Sequence, residues 1–280
     1  MIIMNKKITK KLTRAVINSL VVGVIILTLF PLVWFVQIAL KPEVLAWEMP
    51  PKFIFMPTFN NFVKLLTGNK DFFGAMKSSL IVSVFSTGVS LFLGLTSGYA
   101  LARSRYKFSK YMGSWIILTS MAPSMIFLIP FYNIFRALRL SGSYLSLIIS
   151  YLVFTVPFVT WMMYGYFKTI PEEIEESAKL DGCSRAQILF KIAAPVALPG
   201  IVTCIMFSFI YTWNEFLFPL VLSGRGTKTI PIMIQGFMSS DGYDWGQLAA
   251  TAIVIILPVL LVSIINQKGV IRGLTGGAIK

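Results

Sequence analysis

Few residues in this sequence carry the chemistry of a catalyst. Its 280 residues include no His, so the usual base near neutral pH and the usual metal ligand are both missing. The two cysteines, Cys183 and Cys204, have no metal-type spacing, and their surroundings in sequence place them in different environments, which argues against a disulfide. Acidic side chains concentrate in one stretch, where Glu172, Glu173, Glu175, Glu176 and Asp181 lie close together. Trp213-Asn214-Glu215 sets an aromatic ring beside an amide and a single carboxylate, and one carboxylate makes no acid–base dyad. Gly224-Arg225-Gly226-Thr227-Lys228-Thr229 is reminiscent of a phosphate loop, but Thr227 stands where a Gly should precede the Lys, so a turn-rich loop is expected.

The elements that position these groups are apolar. The chain is 56% hydrophobic and only 13% charged, against roughly 45–50% and about 25% for a soluble domain. Uncharged runs cover 15–40, 78–102, 111–135, 140–167, 192–214 and 245–267. Each reaches the roughly 20 residues that a helix needs to cross a hydrocarbon core. The runs lack the period-two alternation of a membrane barrel, so the expected fold is an all-α integral membrane protein of six transmembrane helices. Pro31, Pro130 and Pro157 fall inside runs, where membrane helices tolerate them.

The net charge of +14 could suggest nucleic acid, but the basic residues sit between the apolar runs and not on one polar surface. Lys6, Lys7, Lys10, Lys11 and Arg14 precede the first run; Arg103, Arg105, Lys107 and Lys110 follow the second; Lys168, Lys179, Arg185 and Lys191 follow the fourth; Lys268, Arg272 and Lys280 follow the last. All lie on one side of a six-span topology, which makes both termini cytoplasmic. Residues 1–14 then form an N-terminal tail, 15–267 a transmembrane domain and 268–280 a C-terminal tail. The first run is too long for a cleaved signal and reads as an anchor. Ion-coupled carriers usually keep several charges at mid-bilayer; these runs do not, so movement of a solute would draw its energy from another subunit.

The cytoplasmic stretch 168–200 is the most informative. Thr169-Ile170-Pro171-Glu172 reads as a helix start with a Thr cap, and the glutamates that follow suit the positive end of the helix dipole. Asp181-Gly182 ends that helix, and Ser184-Arg185-Ala186-Gln187 is a capping box for a second one running towards Pro195 and Pro199. Ile174, Ser177, Ala178 and Asp181 share a face. Spacing alone leaves two uses open for it: docking another protein, or stabilising the chain's own bundle.

Glu176-Ser177-Ala178, then Asp181-Gly182, then Ile192-Ala193-Ala194-Pro195 resembles the Glu-Ala-Ala loop of ABC importer permeases, with Ser177 and Ala194 departing from its usual Ala and Leu. Other segments resemble the maltose-type carbohydrate branch in order and spacing: Pro57-Thr58-Phe59-Asn60-Asn61-Phe62, Ser79-Leu80-Ile81-Val82-Ser83, Tyr99-Ala100-Leu101-Ala102-Arg103, Ile129-Pro130-Phe131-Tyr132 and Trp213-Asn214-Glu215-Phe216-Leu217. The tail Gly273-Leu274-Thr275-Gly276-Gly277-Ala278 is most similar to that of the smaller maltose permease.

The resemblance implies a permease subunit of a binding-protein-dependent sugar importer in a bacterial or archaeal cytoplasmic membrane. Glu176, Ser177, Ala178, Asp181 and Gly182 would dock on an ATPase subunit as a coupling helix. The implied partners are a second homologous permease, two cytoplasmic ATP-binding subunits that use ATP and Mg, and an external solute-binding protein; the chain itself would bind no cofactor, metal or nucleic acid. Trp213, Asn214 and Glu215 would line the substrate path, or else serve as an interfacial anchor and a structural acid. Gly224, Pro231 and Gly236, in the connection 223–245, would meet the solute-binding protein, a flexible loop being the alternative. Gly94 and Gly98 fit a small-residue packing face. A glycerol phosphate or polyol permease, and from another class an ATP-independent carrier, stay open as alternatives.

Overall fold

The structure, a computed structural model, describes residues 2–46, 48–68, 70–120, 122–239 and 242–274. The elements run α1 (Ile2–Leu40), α2 (Glu43–Ala46), α3 (Asn60–Val63, continued by a π turn to Gly68), α4 (Lys70–Ala102), α5 (Lys107–Ser120) and α6 (Ser124–Ala137). Next come α7 (Tyr144–Lys168), α8 (Glu172–Leu180), α9 (Arg185–Ile188), α10 (Ala194–Val196), α11 (Leu198–Asn214), α12 (Leu217–Leu222) and α13 (Ile230–Ile234). A two-residue antiparallel ladder, β1 (Met238–Ser239) with β2 (Gly242–Tyr243), precedes α14 (Trp245–Leu274). Residues 275–278 of the tail motif lie outside the described residues.

Among the described residues four helices are long and apolar enough to cross a membrane, Leu12–Leu40, Asp71–Ala102, Tyr144–Lys168 and Trp245–Gln267. They match four of the six expected runs. The run 192–214 is not one straight helix: the segments Arg185–Val196 and Leu198–Asn214 meet at 82° around Ala197, and Pro199 opens the second. The run 111–135 is likewise two helices, α5 and α6, each of 14 residues and too short to span alone. Pro123, with ψ of 130°, stands at the break as the cap residue of α6, whereas Pro130 lies inside that helix. The basic residues near the N-terminus are helical and lie in the first turns of α1.

By contacts the chain divides into two units, 1–69 with 237–255, and 70–236 with 256–280. In the first, Asn61 Nδ2 donates to the carbonyls of Ala39 (2.9 Å) and Lys41 (3.0 Å), fastening the end of α1 to α3. A Cβ on Gly246 would meet that amide at 2.6 Å, so only glycine lets the start of α14 come so close. Buried Lys41 lies 5.9 Å from the Trp34 ring and 5.4 Å from that of Phe55.

In the second unit α4 and α7 pack together over most of their length. Gly94 faces Val159, Gly98 faces Thr160 and Met163, and the Ser78 hydroxyl meets that of Tyr144 at 3.2 Å, so the two helices run parallel. A Cβ on Gly94 would fall 2.5 Å from Val159 Cγ1, which makes this small-residue face an internal contact. Ser79, Ser83, Ser86 and Ser90, spaced on one side of α4, are all buried, and Ser97 shares a hydrogen bond with Thr160 at 2.7 Å. Next to α7, α11 completes the bundle, with Leu95, Val159, Met163 and Cys204 in one core cluster.

Candidate functional site

The acidic stretch forms α8, but its start differs from expectation. Pro171 occupies the cap position without a side-chain bond, while Thr169 finishes α7, its hydroxyl donating to the Tyr166 carbonyl at 2.7 Å. The turn after α8 follows the expected chemistry. Asp181 closes the helix, Gly182 adopts φ +84°, and Ser184 and Gln187 complete a reciprocal capping box.

One carboxylate anchors α8. Glu175, 2% exposed, accepts from Arg103 Nε at 2.9 Å and from a second Arg103 nitrogen at 2.6 Å on one oxygen, and from the Tyr99 hydroxyl at 2.7 Å on the other. Arg103 also donates to the carbonyls of Phe167 (2.8 Å) and Ile170 (3.1 Å), so it ties α8 to the ends of both α4 and α7. Burial pushes the Glu175 carboxyl up, but the Arg103 and Tyr99 hydrogen bonds and the guanidinium charge outweigh it and hold the group below its ordinary value. The sequence reading did not single out Glu175; its signal was the match of Tyr99 and Arg103 to a family segment.

This anchor sorts the expected docking residues. Glu175 and Ala178 turn towards the chain's own bundle, where Ala178 is buried. Glu176, Ser177, Asp181 and Gly182 face out, joined by Leu180, whose side chain is almost wholly exposed.

The trio at the end of α11 is scattered. Trp213 is buried against Phe209, with ring centroids 5.5 Å apart. Asn214 is exposed and donates to the Ile210 carbonyl at 2.8 Å. Glu215 accepts from the amides of Leu217 (2.9 Å) and Phe218 (3.4 Å), capping α12. Deeper in the bundle, Phe154, Thr155 and Phe158 of α7 and Phe207, Ser208 and Tyr211 of α11 line an open cavity of about 370 Å³. The Ser208 hydroxyl, buried there, has no hydrogen-bond partner among the described residues.

The connection after α12 is ordered. Thr227 donates to the Gly142 carbonyl at 2.9 Å and accepts from the Gly224 amide at 2.8 Å; a Cβ on Gly224 would come within 3.1 Å of Gly142, which itself adopts φ +78°. The Ile230 amide donates to Ser79 on α4 at 2.9 Å. Of the expected contact residues, Gly236 is exposed and Gly224 and Pro231 are half-buried. The loop resembling a phosphate site is thus a turn whose groups bond to its own chain.

Residues 90–272, which include the anchor and α8, match the model of the binding-protein-dependent transport system inner membrane component family. The chain belongs to this family. A sulfoquinovosyl glycerol transport system permease of Agrobacterium fabrum is 33% identical, with 90% of this chain and 89% of that protein covered. The trehalose transport system permease SugB of Mycobacterium tuberculosis is 32% identical over 95% of this chain and 96% of its own. A solved bacterial ABC transporter that imports the acidic polysaccharide alginate shares the fold, with a TM-score of 0.75 at 21% identity over 91% of this chain and 95% of that one.

The segment Glu176-Ser177-Ala178 lies on α8. This short helix is pinned by its third glutamate, with its neighbouring glutamate left outside. Among the described residues no group of His, Cys, Asp or Glu could hold a metal, and both cysteines are free.

Proposed function

We propose that this permease is one of two membrane-spanning subunits of an ATP-driven, binding-protein-dependent importer of a sugar or oligosaccharide. One observation carries the reading. α8 presents an exposed face, Glu176, Ser177, Leu180 and Asp181, on a helix bolted through Glu175 and Arg103 to the ends of two long helices. Closure of paired ATPase subunits against that face would move the packed pair α4 and α7 as one body and switch access to the substrate path. ATP and Mg stay on those partners, and this chain contributes no nucleotide site.

In the same reading α5 with α6 makes the third crossing and the bent α10–α11 segment the fifth, which gives six spans with both termini cytoplasmic. α1 leaves Leu20, Leu27 and Phe30 exposed, surface that lipid and the second permease would cover. The substrate path is assigned to the α7–α11 cavity, where Phe154, Phe158 and Tyr211 offer rings for the apolar face of a sugar and Ser208 offers an unpartnered hydroxyl. Trp213 and Glu215 act one turn further along, holding the end of α11 in place. The Gly142–Gly224 clamp and α13 present a fixed surface to the solute-binding protein.

Sugar uptake into proteoliposomes tests the proposal. Uptake should require both the ATPase subunits and the binding protein, and uptake by the permease pair alone would favour a carrier.

A further inference from the structure

Four cationic side chains, Arg103, Arg105, Lys179 and Arg185, line one cavity of about 770 Å³ beside α8. Its one carboxylate, Glu175, already accepts from Arg103 and Tyr99 on both oxygens. Among the described residues, Arg105, Lys179 and Arg185 have no ion-pair partner. Three exposed cations held around one concavity repel one another unless an anion lies between them.

We infer that this cavity binds an anionic phospholipid of the adjoining leaflet, its phosphate between Arg105, Lys179 and Arg185 and an acyl chain along Phe190 and Phe92. The apolar side of the cavity decides between a lipid and a soluble anion. Phe190 lines it and stacks on Phe92, with centroids 6.5 Å apart and planes 9° from parallel, yet both rings are about half exposed. A soluble anion would use the cations and leave that ring pair in water, whereas a lipid uses both. The cavity also lies where α4, a membrane-length helix, ends at Ala102. Basic clusters at that level attract anionic headgroups.

The site leaves Ser177 and Asp181 of the docking face free. Lys179 is one turn on from Glu175, across the helix from Ser177 and Asp181. A headgroup there would join the segment after α4 to α8 and α9, stiffening the loop that takes the ATPase stroke. Anionic lipid would then tune how much of that stroke reaches the bundle. This inference rests on the importer reading for the membrane level of the loop.

Native mass spectrometry of the full chain, released from micelles holding equal phosphatidylglycerol and phosphatidylcholine, tests it. The wild type should retain phosphatidylglycerol selectively, and millimolar inorganic phosphate should not displace it. Arg105→Gln/Lys179→Gln/Arg185→Gln should weaken retention roughly a hundredfold, while Lys77→Gln/Arg136→Gln/Lys228→Gln should not. Phe190→Asp, which removes no cation, should also lose the lipid. Equal retention in the triple variant or in Phe190→Asp, or displacement by phosphate, would overturn the proposal. If that happens while binding-protein-stimulated ATPase activity still depends on Gly182, the lipid site falls and the importer reading stands.

Discussion

A buried carboxylate that accepts three hydrogen bonds cannot become an amide without stranding the cation that faces it. Glu175→Gln leaves Arg103, itself only 14% exposed at the side chain, without its counter-charge. Breaking such a pair costs about 3–5 kcal/mol, here mostly as local loosening of α8, which faster amide hydrogen exchange over 172–182 would report. Arg103→Lys, with Glu175 intact, should loosen α8 as well, because a single ammonium cannot reach the carboxylate and two carbonyls in the geometry of the guanidinium fork. The pH dependence follows from the direction of the shift. Because the Glu175 carboxyl is depressed in the folded chain, its contribution is complete above the ordinary carboxylate value of about 4.3 and is lost as pH falls through the lower folded value. The gap in thermal stability between wild type and Glu175→Gln should therefore be constant near neutrality and close in acid. The pairing was not legible in the sequence: Glu175 looked like one of several first-turn glutamates, and its partner lies in another connection.

At the scale of elements, local signals transferred well where their cause was local. The capping box at Ser184 and the left-handed turn at Gly182 are set by neighbouring residues, so four or five letters sufficed to read them. Gly182→Ala puts a side chain at φ +84° and should cost about 1–2 kcal/mol. The break at Pro123 was not foreseen: mid-run prolines sit inside helices at Pro31, Pro130 and Pro157, and only packing decides which prolines a helix continues through. The α4–α7 contact gives a sharper contrast. Gly94→Ala drives a Cβ to 2.5 Å from Val159 Cγ1 and 2.9 Å from the Thr160 backbone nitrogen, and overpacking of this kind costs about 1–3 kcal/mol. Gly88→Ala on the same helix meets nothing within 4 Å and should be neutral or slightly stabilising. Melting temperatures of the two variants in one detergent would separate them, and equal values would contradict the parallel packing of α4 on α7. The aromatic cavity of α7 and α11 escaped sequence reading because Phe154, Phe158, Phe207 and Tyr211 look like lipid-facing residues until two helices bring them together.

For the whole molecule, apolar runs and basic connections made the membrane class and the helical fold readable, because a bilayer imposes length and charge rules on any sequence that crosses it. They did not reveal that two of the runs are broken, since helix continuity depends on tertiary support. The account's central claim is mechanical: work done on the outer face of α8 reaches the bundle through the Glu175–Arg103 bolt. The measurement closest to that claim is binding-protein-stimulated ATPase activity of the reconstituted importer carrying Gly182→Pro or Glu176→Lys, neither of which touches the bolt or the cavity. The account predicts a normally inserted permease whose partners lose stimulation and uptake together, and wild-type stimulation in both variants would contradict it.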